Sequence, residues 1–212
     1  MLGIHDLPLF VASGLLLNMA PGPDSILIMS RSASQGWRAG SAAALGIGAG
    51  TCIHVLGAAL GLSALLATSA WAFTVVKYVG AAYLVWIGLA MLLARRAGPA
   101  AAPAAAPPPL PYRKIFLQGF LTNVLNPKVA LFFLAFVPQF IAPEAPHKAL
   151  AFLLLGAIFN FNGMLWCHGL AVSTALLSQR LRVGRGVANG LNRAIGALFV
   201  SFGIKLALSG RS

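Results

Sequence analysis

Six apolar stretches, each long enough to cross a bilayer as a helix, fill most of this 212-residue chain. They fall near residues 7–30, 39–62, 71–94, 115–141, 149–176 and 191–208. About 20 apolar residues span the hydrocarbon core as a helix. Backbone in lipid must satisfy its own hydrogen bonds, so such runs have little other choice. Charged residues make up 8% of the chain and the mean hydropathy is +0.86. Soluble domains carry about 25% charged residues, which excludes a water-soluble fold. The expectation is an all-α integral membrane protein in a single domain, 1–212.

The net charge of +12 would suggest nucleic acid in a soluble chain. Here the bases cluster between the apolar stretches, so membrane topology accounts for them and no nucleic-acid partner is expected. Ten of the fifteen Lys and Arg follow the first, third and fifth stretches. They are Arg31 and Arg38, then Arg95, Arg96, Arg113 and Lys114, then Arg180, Arg182, Arg185 and Arg193. The positive-inside rule puts these loops in the cytoplasm and both termini outside it. The amino terminus has no basic n-region and no small-residue cleavage site, so it reads as a retained span. Cys52 and Cys167 lie inside apolar stretches and read as packing residues rather than a disulfide or metal pair.

The chain also repeats itself. Gly14, Asn18 and Pro21 align with Gly119, Asn123 and Asn126, and Leu45-Gly46 pairs with Leu155-Gly156. Gly80-Ala81 and Gly196-Ala197 occupy matching places in the third stretch of each half. Three spans per half is an odd number, so the second copy must be inverted in the membrane. The expected architecture is two inverted three-helix repeats, 1–96 and 113–212, joined by a cytoplasmic Ala/Pro linker at 97–112. The first helix of each half is expected to break at proline.

Those breaks carry the functional signal. In the first stretch, Pro21-Gly22-Pro23-Asp24 combines two helix breakers, a glycine and an acid. A charge in hydrocarbon is costly and marks a functional position by default. Proline at 23 clashes with the preceding turn and should free carbonyls near Asn18 and Met19. Asp24 can cap the helix that restarts there, and it can also bind a proton or a substrate ammonium group. In the second half, Asn126-Pro127-Lys128 mirrors this feature. Asn126 can satisfy the broken ladder with its side chain, and Lys128 can pair with Asp24. A static structural pair with no transport role is the alternative. Paired broken helices in two halves point to the binding site of a secondary transporter.

Other polar positions are weaker. Gly46-x3-Gly50, with Gly48 between them, reads mainly as a close helix contact, since small residues let backbones approach. His54 reads as a helix-to-helix hydrogen bond or a proton relay. Asn160, Asn162 and His168 are expected to face the bundle interior. The chain has no HExxH, no convincing Ser/His/Asp set and no nucleotide-binding motif, so neither an enzyme nor a cofactor is expected. Its histidines are scattered, against the clustering a metal site needs.

Several stretches together resemble a known family. They are 19–24 (MAPGPD), 36–40 (GWRAG) with Gly46-Ile-Gly48, and 77–88 (KYVGAAYLVWIG). To these add 116–128 (FLQGFLTNVLNPK) and 136–140 (FVPQF). The set is similar to the lysine-exporter (LysE/RhtB) family of bacterial amino-acid efflux proteins, over nearly the whole chain. The resemblance implies export of amino acids or close derivatives, driven by the proton-motive force, from a bacterial inner membrane. It implies functional positions at Pro21, Gly22, Pro23, Asp24, Asn126, Pro127 and Lys128. One intramembrane acid fits a neutral zwitterion better than a dibasic amino acid. The expected partners are the amino acid, protons and membrane lipid, with small-residue helix faces that permit a homodimer. The alternatives are an exporter of a metal cation or organic ion, and a non-transporting membrane scaffold.

Overall fold

The computed structural model describes residues 2–62, 70–93 and 109–177, with isolated helical positions between 197 and 208. Among the described residues there is no strand, only an isolated antiparallel bridge between Ile4 and Ile141. The helices are α1 (Leu7–Met19), α2 (Pro23–Gln35), α3 (Trp37–Gly57) and α4 (Ala70–Leu93). After them come α5 (Tyr112–Val124), α6 (Pro127–Leu131) and α7 (Lys148–Leu177). A π-helical turn, Ala58–Leu62, extends α3, and α6 runs on through π turns (Phe132–Phe136) and a 3-10 turn (Val137–Phe140).

Two helices among the described residues, Trp37–Leu62 and Lys148–Leu177, are long and apolar enough to cross a membrane unbroken. Tyr112–Val124 and Pro127–Phe140, bent by 47° at their break, are long and apolar enough only when taken together, as a broken span or a re-entrant loop. The outer surface is that of a lipid-facing protein, with Leu60, Trp71, Leu93, Leu125 and Leu165 all largely exposed. The third apolar stretch coincides with α4, whereas most of the sixth stretch and most of the Ala/Pro linker lie outside the described residues.

Both expected proline breaks are present. α1 and α5 are each 13 residues long, and each stops just before its break. Their first residues are 7 and 112 and their last 19 and 124, so both ends differ by the same 105 positions that align the two halves in sequence. Each following helix opens on a proline, Pro23 or Pro127. Proline suits that first position because its fixed φ is helical and the missing N–H has no partner to lose there.

The first break differs in two details. Gly22, not Asp24, is the N-cap of α2, and no side chain caps it. Proline at the first helical position starts the helix one residue earlier than a cap at Asp24 requires. α2 also runs on to Gln35, because nothing stops it before Gly36, whose φ of 84° favours glycine. Arg31 therefore sits in the last turns of a helix rather than in a loop. It is 7% exposed and donates to Gln118 Oε1 of α5 at 3.1 Å.

α3 and α5 form the most extensive helix contact, and it is made of glycine. A Cβ on Gly46 would strike the Phe116 carbonyl, and one on Gly119 would strike the Ala43 carbonyl. A Cβ on Gly50 would lie 2.9 Å from both Asn123 Cβ and the Phe120 carbonyl. In lipid the hydrophobic effect does not hold helices together, so close van der Waals approach does. Behind this pair, Phe10, Phe132, Phe133, Phe136, Phe140 and Phe159 form a buried aromatic cluster, with Phe132 and Phe159 centroids 4.7 Å apart.

Candidate functional site

The two breaks face each other. Asn126 at the second break accepts from its own Lys128 amide at 3.0 Å through Oδ1, which caps α6. Its Nδ2 is then free to point across the bundle, and it donates to Asp24 Oδ2 at 3.1 Å. Asn123, one turn earlier on α5, donates through Nδ2 to the same oxygen at 2.9 Å. The two asparagines are 2% and 3% exposed, so these bonds are made away from water. Bonds to a carboxylate are stronger than neutral ones.

A ring of further contacts orients Asn123. Thr51 Oγ1 lies 3.3 Å from Asn123 Oδ1 and 3.1 Å from the Ile47 carbonyl, with one proton to share between them. His54 Nε2 bonds the Asn123 carbonyl at 3.0 Å, and the ring stacks on Phe133 with centroids 6.4 Å apart. His54 is thus a bond between α3 and α5, as one of its two sequence readings expects.

Lys128 departs from expectation. No Asp24–Lys128 contact of ion-pair length occurs among the described residues. Lys128 Nζ instead donates to the Leu17 and Ala20 carbonyls, each at 3.1 Å. The reason is in the proline spacing. In an unbroken helix Leu17 O would accept from residue 21, which is proline and has no N–H. Ala20 has already left helical geometry, with ψ at 124°. Leu17 and Ala20 flank Asn18 and Met19, near which freed carbonyls are expected, and a cation covers both of their carbonyls.

Asp24, Asn123, Thr51 and Lys128 line a cavity of about 30 Å³ between α1, α2, α3, α5, α6 and α7, while Asn126 and His54 are not part of its lining. Its polar wall is Asn18, Asp24, Ser25, Thr51, Asn123, Lys128 and Asn160. Its apolar wall includes Ile47, Val129, Phe159, Met164 and Cys167. Asp24 Oδ1 and Asn18 Nδ2 are buried without a partner, leaving one acceptor and one donor unpaired in the same space. The volume suits a water or two and is far below that of an amino acid. A wider groove of about 620 Å³ between the α2–α3 turn and α7 is lined by Ser32, Gly36, Trp37, Val172 and Leu176, among others, with no ionisable side chain.

Of the weaker positions, Gly48 and Asn160 reach the cavity, with Asn160 Nδ2 donating to the Gly48 carbonyl at 3.3 Å. Asn162 and His168 do not line it, and His168 Nδ1 bonds the Met164 carbonyl of its own helix. Pro21, Gly22, Pro23 and Pro127 act through backbone, since none lines the cavity. Phe159, Gly163, Met164 and Cys167 line it without having been singled out as site residues. Their spacing of three and four is one face of α7, a pattern legible beside Asn160.

A profile described as LysE type translocator matches residues 15–210. The chain belongs to the LysE type translocator family. It is a membrane transporter rather than an enzyme. It is 34% identical over 208 residues to an uncharacterised membrane protein of Pseudomonas aeruginosa, covering 97% of this chain and 96% of that one. It is 28% identical over 205 residues to a leucine efflux protein of Salmonella typhimurium, again covering 97% and 96%. The leucine efflux protein of Salmonella typhi matches to the same extent. No solved structure matches this chain.

Proposed function

We propose that this translocator exports neutral amino acids or close derivatives from the cytoplasm across the bacterial inner membrane, in exchange for protons. The observation that carries the reading is the convergence of both proline breaks on Asp24. One carboxylate, one ammonium and several amides surround a space with an apolar far wall. A zwitterion needs an acceptor for its ammonium group and donors for its carboxylate, and an aliphatic side chain needs the rest. The amide nitrogens and ammonium beside Asp24 repel a metal cation, which argues against metal cargo. The names of the Salmonella relatives favour leucine-like substrates.

In this reading Asn18, Asp24, Asn123, Asn126 and Lys128 bind substrate and proton. Pro21, Gly22, Pro23 and Pro127 shape the breaks, and Gly46, Gly48, Gly50, His54, Asn160 and Asn162 set helix packing near the path. The chain forms six spans as two inverted triplets, 1–96 and 113–212, with the 97–112 linker in the cytoplasm and both termini outside. The common offset of α1 and α5 supports the repeat. So does Gly203, where a Cβ would lie 2.8 Å from the Ala81 carbonyl, in the expected third spans of the two halves. A homodimer is compatible with the small-residue faces.

The test is efflux from cells lacking their own exporters, loaded with amino acids as dipeptides. The protein should speed the loss of one or a few neutral amino acids, and collapsing the proton gradient should abolish the gain. Export of lysine or arginine with no neutral amino acid would refute the substrate class. No acceleration at all, with the protein present in the membrane, would refute the exporter.

A further inference from the structure

The α1 break is a cation seat. Two carbonyl oxygens at the negative end of a helix, Leu17 O and Ala20 O, converge on one ammonium nitrogen at 3.1 Å each. Nothing in that geometry is particular to lysine, and any primary ammonium of similar size presents the same donors. The occupant arrives on a flexible four-carbon stem from the other half of the chain, so it is held by the seat rather than built into it. Gly22 keeps the approach open, since a Cβ there would lie 3.3 Å from Nζ.

The neighbouring cavity holds what an exchange of occupants would need. Asp24 Oδ1 is a buried acceptor with no partner, and Asn18 Nδ2 is a buried donor with no partner. Both line the same cavity as Lys128. If Lys128 moves from the carbonyls to Asp24 Oδ1, the carbonyls can take another ammonium group and Asn18 can donate to a carboxylate. Each unpaired atom then gains a partner.

We propose that the Leu17 and Ala20 carbonyls are the seat for the substrate's α-ammonium group, and that Lys128 is a tethered stand-in that holds this seat until substrate displaces it. The inference rests on the amino-acid exporter reading for the source of that ammonium. It differs from a counter-charge role, in which Lys128 stays beside Asp24 throughout. The seat couples substrate arrival to release of the α1–α6 tie, because the substrate's ammonium can take the Leu17 and Ala20 carbonyls only when Lys128 Nζ leaves them.

The test is chemical rescue of purified Lys128→Ala. Its thermal midpoint is followed by tryptophan fluorescence in ethylammonium, tetramethylammonium or sodium chloride at equal ionic strength. The variant should melt below wild type, and ethylammonium should raise its midpoint saturably by several degrees. Tetramethylammonium, which has no N–H, and sodium should not, and wild type should respond equally to all three. Rescue equal in all three salts, rescue by sodium alone, or no saturable rescue would each overturn the proposal. If Lys128→Ala does not survive purification, the same salts are added at extraction and the monodisperse fraction on gel filtration becomes the readout. The rescue needs no transport. Rescue without amino-acid efflux by wild type would remove the exporter reading and with it the substrate as the seat's occupant. Efflux without rescue would remove only the seat.

Discussion

Asn126 does two jobs with one side chain, and a short series of substitutions separates them. Its Oδ1 caps α6 at 3.0 Å from the Lys128 amide, and its Nδ2 donates to Asp24 Oδ2 at 3.1 Å. Losing an N-cap costs about 1 kcal/mol. Interhelical hydrogen bonds in membranes average about 0.6 kcal/mol and reach about 1.7. The carboxylate acceptor and the 3% exposure put this bond near the top of that range, at about 1.5 kcal/mol. Asn126→Ala should therefore lose about 2.5 kcal/mol, a shift of roughly 70-fold in the unfolding equilibrium.

Asn126→Ser keeps a good cap and loses the bond across the bundle, so it should lose only the about 1.5 kcal/mol share. Asn126→Asp also keeps the cap but sets a second acid against Asp24, and should be the least stable of the three. Reversible unfolding in mixed detergent micelles, followed by circular dichroism, gives each value. Equal losses for Ala and Ser would mean that the cap contributes nothing. An Ala variant within about 0.5 kcal/mol of wild type would refute both assignments, since surface-like changes fall in that range.

Three further outcomes follow from the same geometry. Asp24→Asn should fold, because both asparagine partners can still bond a side-chain oxygen, but should lose proton-coupled efflux; retained coupled flux would remove Asp24 from the mechanism. Gly46→Leu should separate α3 from α5 and cost more than about 3 kcal/mol, since the Phe116 carbonyl lies where its Cβ would be; Leu45→Ala, at an exposed neighbour, is the control and should fold normally. His54→Phe keeps a ring to stack on Phe133 but drops the bond to the Asn123 carbonyl. Efflux should persist at reduced rate, and complete loss with a folded protein would favour a proton relay.

Much of this site was legible because its residues break rules. Proline and an acid inside an apolar run have few structural uses, so Pro21, Pro23 and Asp24 declared themselves. So did Asn126, Pro127 and Lys128, and the repeat set the two groups in register. The finer pairing was not legible. Opposite charges invite an Asp–Lys pair, but the choice turned on which carbonyls proline had freed, and that depends on the turn geometry at Ala20. The α7 face was missed for a different reason. Phe159, Gly163, Met164 and Cys167 are ordinary in an apolar helix, and only their place opposite Asp24 gives them meaning. Arg31 was misassigned to a loop because a basic residue after an apolar run resembles a boundary, whereas the helix continues to Gly36.

The small cavity and the broken helices bear on each other. A site that admits an amino acid must grow from about 30 Å³ to several times that volume, and something must move to allow it. The α3–α5 contact is a poor candidate, because backbone lies against backbone where glycine permits it and no side chain can rearrange to absorb a shift. The breaks are better placed. At Ala20–Gly22 the chain is extended between the last bond of α1 and the first bond of α2, and at Leu125–Asn126 the two helix segments already diverge by 47°. Pivoting α2 or α6 there costs no intact helix turn, but it strains the bonds of Lys128, Asn123 and Asn126 that cross between the breaks, and α2 is held further along by Arg31 on Gln118. The bonds between the breaks are the ones a zwitterion can replace with its own charges. Opening the cavity and filling it therefore draw on the same few contacts, which is the physical requirement for coupling substrate binding to helix motion.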